Sequence, residues 1–231
     1  MLEWERIYVS DQSTVSKPSL LGMVWSPGEQ FERMRERPVF WGALIIVTLL
    51  SVAASMILFY AMPDDMYDVP GMQLTEEQLA MAKTMGAVTA VLDALIGTPI
   101  GILISALIMF LITKLAQKDT TFRQLFSLNT YIMFISGIGQ LLNALIRLAI
   151  GGDPVVFVTS LGSLVEAEGM TAGILGGIEL FSIWATVLTA IGLYKVGRLS
   201  KGAAWTVAIV IFVIGLIFSV VGGVFSGTAG V

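Results

Sequence analysis

The sequence predicts an all-α membrane protein: a polytopic bundle of five transmembrane helices, N-terminus cytoplasmic and C-terminus extracytoplasmic. Three observations carry this. The 231 residues are 56% hydrophobic and only 13% charged, with a mean hydropathy of +0.86, outside the usual composition of soluble domains. The charges avoid five tracts, Pro38–Met62, Ala94–Thr113, Leu125–Ile146, Leu180–Tyr194 and Gly202–Val231, and about 20 apolar residues suffice to cross ~30 Å of hydrocarbon. Finally, eleven of the 13 basic residues fall in alternate segments: Arg6, Lys17, Arg33, Arg35 and Arg37, then Lys114, Lys118 and Arg123, then Lys195, Arg198 and Lys201. The other connections carry Asp64, Asp65, Asp68, Glu76, Glu77, Asp153, Glu166 and Glu168. The positive-inside rule turns that alternation into an orientation.

Residues 1–37 form a cytoplasmic tail and residues 38–231 the membrane domain. Met1–Lys17 is polar and acidic, without the short apolar core of a signal peptide, so the tail is expected to be retained. Ser19–Trp25 reads as an interfacial segment, and Ser26-Pro27-Gly28-Glu29 as a capping box with Pro at the first helical position. The helix it opens carries Phe31 and Met34 beside Arg33, Arg35 and Arg37. Two readings stand side by side: an amphipathic helix on anionic lipid or a partner, or a solvated helix that serves only the charge bias.

Span one, Val39–Tyr60, is the most uniformly apolar and is expected to face lipid, with Phe40, Trp41 and Tyr60 as interfacial anchors. After a turn-rich acidic loop, Thr75-Glu76-Glu77-Gln78 caps a helix leading into span two, Ala87–Ala116. There Pro99 predicts a kink, and Gly97 and Gly101 a close helix contact.

Span three, Phe126–Ile150, carries Asn129, Ser136, Gln140, Asn143 and Arg147. At about 100° per residue these fall within roughly a 60° sector. Such a polar stripe must face protein or water, because unpaired amides and a guanidinium in hydrocarbon cost several kcal/mol. Between spans three and four, Gly151-Gly152-Asp153-Pro154 breaks the chain ahead of apolar Val155–Thr159, whose insertion into the interface stays open. Span four, Ala172–Tyr194, places Glu179, Ser182, Thr186 and Thr189 on one side, and span five, Ala203–Phe225, does the same with Gly215, Ser219 and Gly222.

Three ionisable groups inside the spans, Asp93, Arg147 and Glu179, lie within about one helical turn in depth. They predict an outer-third cluster in which Arg147 neutralises one acid, either as a lock between helices or as a proton or cation relay. The absence of His and Cys removes the usual ligands of zinc, haem and iron–sulfur clusters and every His-dependent catalytic pair. There is no Gly-x-x-x-x-Gly-Lys-Ser/Thr, so an ATPase activity would belong to another chain. No cofactor, no nucleic acid and no enzymatic function are expected.

Leu21-Gly22-Met23-Val24-Trp25-Ser26-Pro27-Gly28-Glu29-Gln30-Phe31-Glu32-Arg33 resembles the Ser-Pro…Phe lead-in of the bacterial branch of the Ypt-interacting (Yip) membrane-protein family. Glu179-Leu180-Phe181-Ser182-Ile183-Trp184, running into Leu188-Thr189-Ala190-Ile191-Gly192-Leu193, is similar to that family's span-four signature. The resemblance covers about residues 18–225. The Asp-Leu-Tyr-Gly-Pro stretch of the eukaryotic members is missing, so no GTPase partner is carried over. What it implies is an accessory or assembly protein of the cell membrane whose partners are other integral membrane proteins. Foremost among these are the permease and ATPase subunits of an ABC exporter that protects against an antimicrobial peptide toxin. The lipid bilayer is a further contact, and a homo-oligomer is compatible with it. A small proton- or cation-coupled transporter or channel is the alternative.

Overall fold

In the computed structural model the described residues are 16–63, 74–151 and 156–228, with the side chains of 222–228 left aside. The acidic loop residues Asp64, Asp65 and Asp68, the breaker Gly152-Asp153-Pro154 and the tail through residue 15, Arg6 included, lie outside them.

The described residues form an all-helical bundle: α1 (Gly22–Trp25), α2 (Pro27–Glu36), α3 (Trp41–Tyr60), α4 (Glu76–Leu92), a π-helical turn (Asp93–Gly97), α5 (Thr98–Leu115), α6 (Phe122–Ile150), a 3-10 turn (Leu161–Ser163), α7 (Gly169–Gly177), α8 (Leu180–Lys195) and α9 (Lys201–Thr228). Among the described residues, four stretches are long and apolar enough to cross a membrane: α3, α4 through α5 as one unit of 40 residues, α6, and Lys201–Val221 of α9. The 16-residue α8 spans only about 24 Å at 1.5 Å per residue.

Local sequence explains the helix ends. Thr75 and Gln78 form the expected reciprocal cap. Thr121 and Gln124 form another at the start of α6, which the Thr-x-x-Gln spacing announces. Gly151, at φ +72°, closes α6. The π-turn immediately precedes Thr98-Pro99 and supplies the adjustment that a ring without an N–H demands. Gly97 and Gly101 do not serve a helix contact: a Cβ on Gly101 would meet nothing within 4 Å, and one on Gly97 only Asp93 of its own helix.

α6 is the central helix, packed by α3, α5, α8 and α2. Its N-terminal half is buried nearly all round, from Leu125 to Ile132, as expected of a helix enclosed by others. Span one is therefore not simply lipid-facing: α3 buries Ala43, Val47, Thr48, Ser51 and Ala54 on the side toward α6, and exposes Ile45, Ile46, Leu49 and Met56.

One end of the bundle gathers Arg33, Arg35, Arg37, Arg123, Lys195 and Arg198, and here the chain before span one is packed as part of the fold. Met23, Phe31 and Met34 are fully buried, which corrects the reading of Phe31 and Met34 as lipid or partner contacts. The reason is a set of long-range bonds. The Tyr131 hydroxyl donates to Pro18 O (3.0 Å), Gln124 Nε2 to Arg35 O (2.6 Å) and Ser127 Oγ to Val39 O (2.9 Å). Lys195 Nζ donates to Gly28 O (3.2 Å) and to Glu32 Oε1 (2.6 Å). Ser26 does not cap α2 with its side chain: its hydroxyl turns back to Gly22 O and receives Gln30 Nε2, while Glu29 is taken up by Arg33.

Candidate functional site

At the opposite end, span four is not one helix. α7 stops at Gly177 and α8 begins at Leu180, with Glu179 extended between them (φ −126°, ψ 144°). A break in an apolar helix strands backbone donors and acceptors where little water reaches, and the segment 156–163 supplies what is missing. Leu161 N–H donates to Ile178 O (3.0 Å) and Leu180 N–H to Thr159 O (3.2 Å), and Ser160 and Glu179 form an antiparallel bridge. Close approach is possible because glycine lines it: a Cβ on Gly162 would lie 3.0 Å from Gly176 N.

Three side chains hold this segment. Asn143, on α6 and 1% exposed, donates through Nδ2 to Thr159 Oγ1 (2.9 Å) and Gly139 O (2.8 Å), and accepts the Thr159 N–H on Oδ1 (3.0 Å). Arg147, one turn on, donates from Nε (3.1 Å) and Nη2 (2.8 Å) to Val156 O and from Nη1 to Gly151 O (3.1 Å). Glu179, 7% exposed, accepts the Thr159 hydroxyl on Oε1 (2.5 Å) and the Ser182 N–H on Oε2 (2.7 Å). A threonine hydroxyl has one proton and two lone pairs, and of its two acceptors within reach Glu179 Oε1 at 2.5 Å is nearer than Asn143 Oδ1 at 3.2 Å, so Thr159 donates to Glu179 and accepts from Asn143 Nδ2. The carboxylate also caps α8, where the helix dipole favours negative charge.

The expected Asp93/Arg147/Glu179 cluster does not assemble as three. Arg147 and Glu179 meet on the same segment, but among the described residues no ion pair joins Arg147 to either acid; its guanidinium is occupied by backbone carbonyls. Asp93 is exposed, because the adjacent Ala94, 6% exposed, takes the inward position, and the π-turn packs on α3, α4 and α5. The span-three stripe is brought inside at its buried ends: Asn129 Nδ2 donates to Ile102 O on α5 (3.0 Å) and Asn143 holds Thr159. Ser136 and Gln140 lie half-buried between them. At the basic end Arg33 is half-buried beside Glu29, and Arg35 and Arg37 are exposed. The Lys195 ammonium, by hydrogen bond and charge, holds the Glu32 carboxyl below its ordinary range.

Span-by-span reading missed Thr159, Ser182 as a capping partner, and the return of residues 156–163. The Glu179-x-x-Ser182 spacing is the one sequence signal that marks the break.

The Yip1 domain model matches residues 21–222. The chain belongs to the Yip1 family. This Yip1 protein is 35% identical to membrane protein YknW of Bacillus subtilis (strain 168) over 222 residues, 94% of this chain and 95% of that one. No solved structure matches it. The matched stretch runs from the residue before α1 into α9, so the packed lead-in and the Glu179 node both belong to the Yip1 region. The kinship read from Leu21–Arg33 and Glu179–Leu193 is borne out.

Proposed function

We propose that this Yip1 protein is a non-enzymatic accessory protein of the cell membrane, crossing it five times with the fourth crossing broken at Glu179 and the basic end cytoplasmic. In this reading it assembles or stabilises other integral membrane proteins, foremost an ABC exporter involved in resistance to an antimicrobial peptide toxin. The observation that carries the reading is how the intramembrane polar groups are used. Asn129, Asn143, Arg147 and Glu179 bond to this chain's own backbone and to Thr159, which fixes segments in place. Meanwhile α9 turns Ile209, Val210, Val213, Ile214 and Ile217 outward, each 45–57% exposed, a wall on which another membrane helix can pack.

The test is co-purification of the tagged protein from its own host in native nanodiscs, with mass spectrometry of what stays bound. Recovery of a permease and its ATPase, lost in the Val213→Trp/Ile217→Trp variant, supports the reading. Recovery of the chain alone, or of subunits unaffected by that variant, refutes it.

A small transporter is the second reading, and the broken helix favours it, since discontinuous helices frame substrate sites in transporters. Glu179→Gln separates the two: a relay variant stays folded and loses flux, whereas a lock variant loses folded protein.

A further inference from the structure

At the basic end α3 and α5 both pack on α6 but meet each other only sparingly, leaving a cleft of about 520 Å³. Its apolar walls come from Phe40 and Leu44 on one side and Leu103 on the other, and Phe122 and Phe126 of α6 form its floor. The aromatic lining is braced against collapse. Phe40 meets Phe126 edge to face at 4.7 Å and 85°, Phe122 lies 5.7 Å from Phe126, and Phe110 backs Phe122 at 6.0 Å and 86°. Edge-to-face pairs of this kind hold ring orientation as well as burying area.

The mouth of the cleft is cationic. Arg123 lines it, and its Nε donates to Pro38 O (3.1 Å), which aims the guanidinium. Its two Nη groups take no partner among the described residues. Lys114, over the Phe110 ring at 5.5 Å, places a second cation one ring away. Trp41, 70% exposed, stands at the rim, where an indole suits the boundary between head group and acyl chain.

We infer that this cleft is a binding site for one anionic phospholipid, with the phosphate on the Nη groups of Arg123 and an acyl chain along Phe40, Leu44, Leu103 and Phe126. The charge complementarity selects the occupant. A planar guanidinium with paired free donors matches phosphate geometry, it sits at the end of the bundle where basic residues collect, and the walls beneath it are hydrocarbon-like. The inference is independent of the partner proposed above, since it concerns only the lipid on this chain.

The test is native mass spectrometry of the full-length protein, delipidated and then exposed to mixed micelles of phosphatidylglycerol and phosphatidylcholine. The wild type is expected to retain one phosphatidylglycerol with a preference of about fivefold or more over phosphatidylcholine, the scale of one basic group near a charged lipid surface. Arg123→Gln should lose the preference while still retaining lipid, Arg123→Lys should keep part of it, and Leu103→Trp, which fills the cleft from an exposed position, should lose the retained lipid. Unfolding temperature is recorded for each variant, and if Arg123→Gln fails to fold, Arg123→Lys and Leu103→Trp decide. An equal affinity for both lipids, an unchanged preference in Arg123→Gln, or displacement of the lipid by inorganic phosphate alone overturns the assignment.

Discussion

Replacing Thr159 by Val removes one hydroxyl and keeps the side chain's shape. That hydroxyl donates to Glu179 Oε1 at 2.5 Å and accepts from Asn143 Nδ2 at 2.9 Å. Asn143 retains its bond to Gly139 O (2.8 Å), so the loss concentrates on the carboxylate oxygen, which at 7% exposure cannot recruit bulk water. A hydrogen bond to a charged group contributes about 1.5–3 kcal/mol in soluble proteins, while bonds between membrane helices average about 0.6 and reach about 1.7 kcal/mol. The node lies near the end of α6, between those settings, and about 1.5 kcal/mol is expected, roughly a tenfold change in the unfolding equilibrium. Thr159→Ser is the matched control: it keeps the hydroxyl and gives up one methyl, at most about 0.8 kcal/mol. Reversible unfolding by SDS titration in mixed micelles measures both, and the Val variant should fall below the Ser variant. The reasoning fails if the two variants unfold together within about 0.3 kcal/mol, or if Ser is the weaker.

Three further expectations concern other contacts. Arg147→Lys should loosen residues 156–163 nearly as much as Arg147→Gln, because the contact is two-pronged on Val156 O and not a charge pair; hydrogen exchange of that segment reads this, and full protection in the Lys variant would contradict it. Gly173→Val should abolish the folded protein, since a Cβ there lies 2.5 Å from Val220 Cα and 2.8 Å from Ser219 O, both backbone, whereas Gly215→Ala meets nothing within 4 Å and should be neutral or gain up to about 1 kcal/mol in thermal unfolding. The lowered Glu32 carboxyl pKa means that docking of α2 favours the ionised form: its contribution is fully present above the ordinary glutamate range and is lost as pH falls through the lowered value. The protection of α2 amides, taken as the ratio of wild type to Glu32→Gln at each pH, should decline only on that acid limb, and a decline above it would refute the pairing.

Periodicity and charge counting exposed much of this architecture. Asn129, Asn143 and Arg147 read as one inward face because 3.6-residue periodicity is a local property of the chain. The same reading placed Arg147 opposite a carboxylate, since side-chain charge is what a sequence displays. Its acceptors are main-chain oxygens of Val156 and Gly151, which every residue carries and no spacing reveals. The break at Glu179 is nearly hidden for a related reason: residues 172–194 contain no Pro and no charge apart from Glu179, and the bonds that make an interruption tolerable come from residues 156–163. Phe31 and Met34 looked interfacial because their cover is supplied from far along the chain, on α6 and α8.

The two ends of the bundle differ in how much polypeptide must exist before they can close. The Asn143, Thr159 and Glu179 node joins residues separated by 16 and 20 positions, so it can form as soon as that stretch leaves the ribosome. Lys195 reaches Gly28 across 167 positions. Through most of synthesis, then, α2 has no α8 to dock on, and its buried Phe31 and Met34 face must be sheltered by something else. With three arginines among residues 33–37, the membrane surface is a suitable temporary host. The interfacial character written into this helix would then belong to a nascent stage of the molecule, and delayed emergence of residue 195 would prolong it.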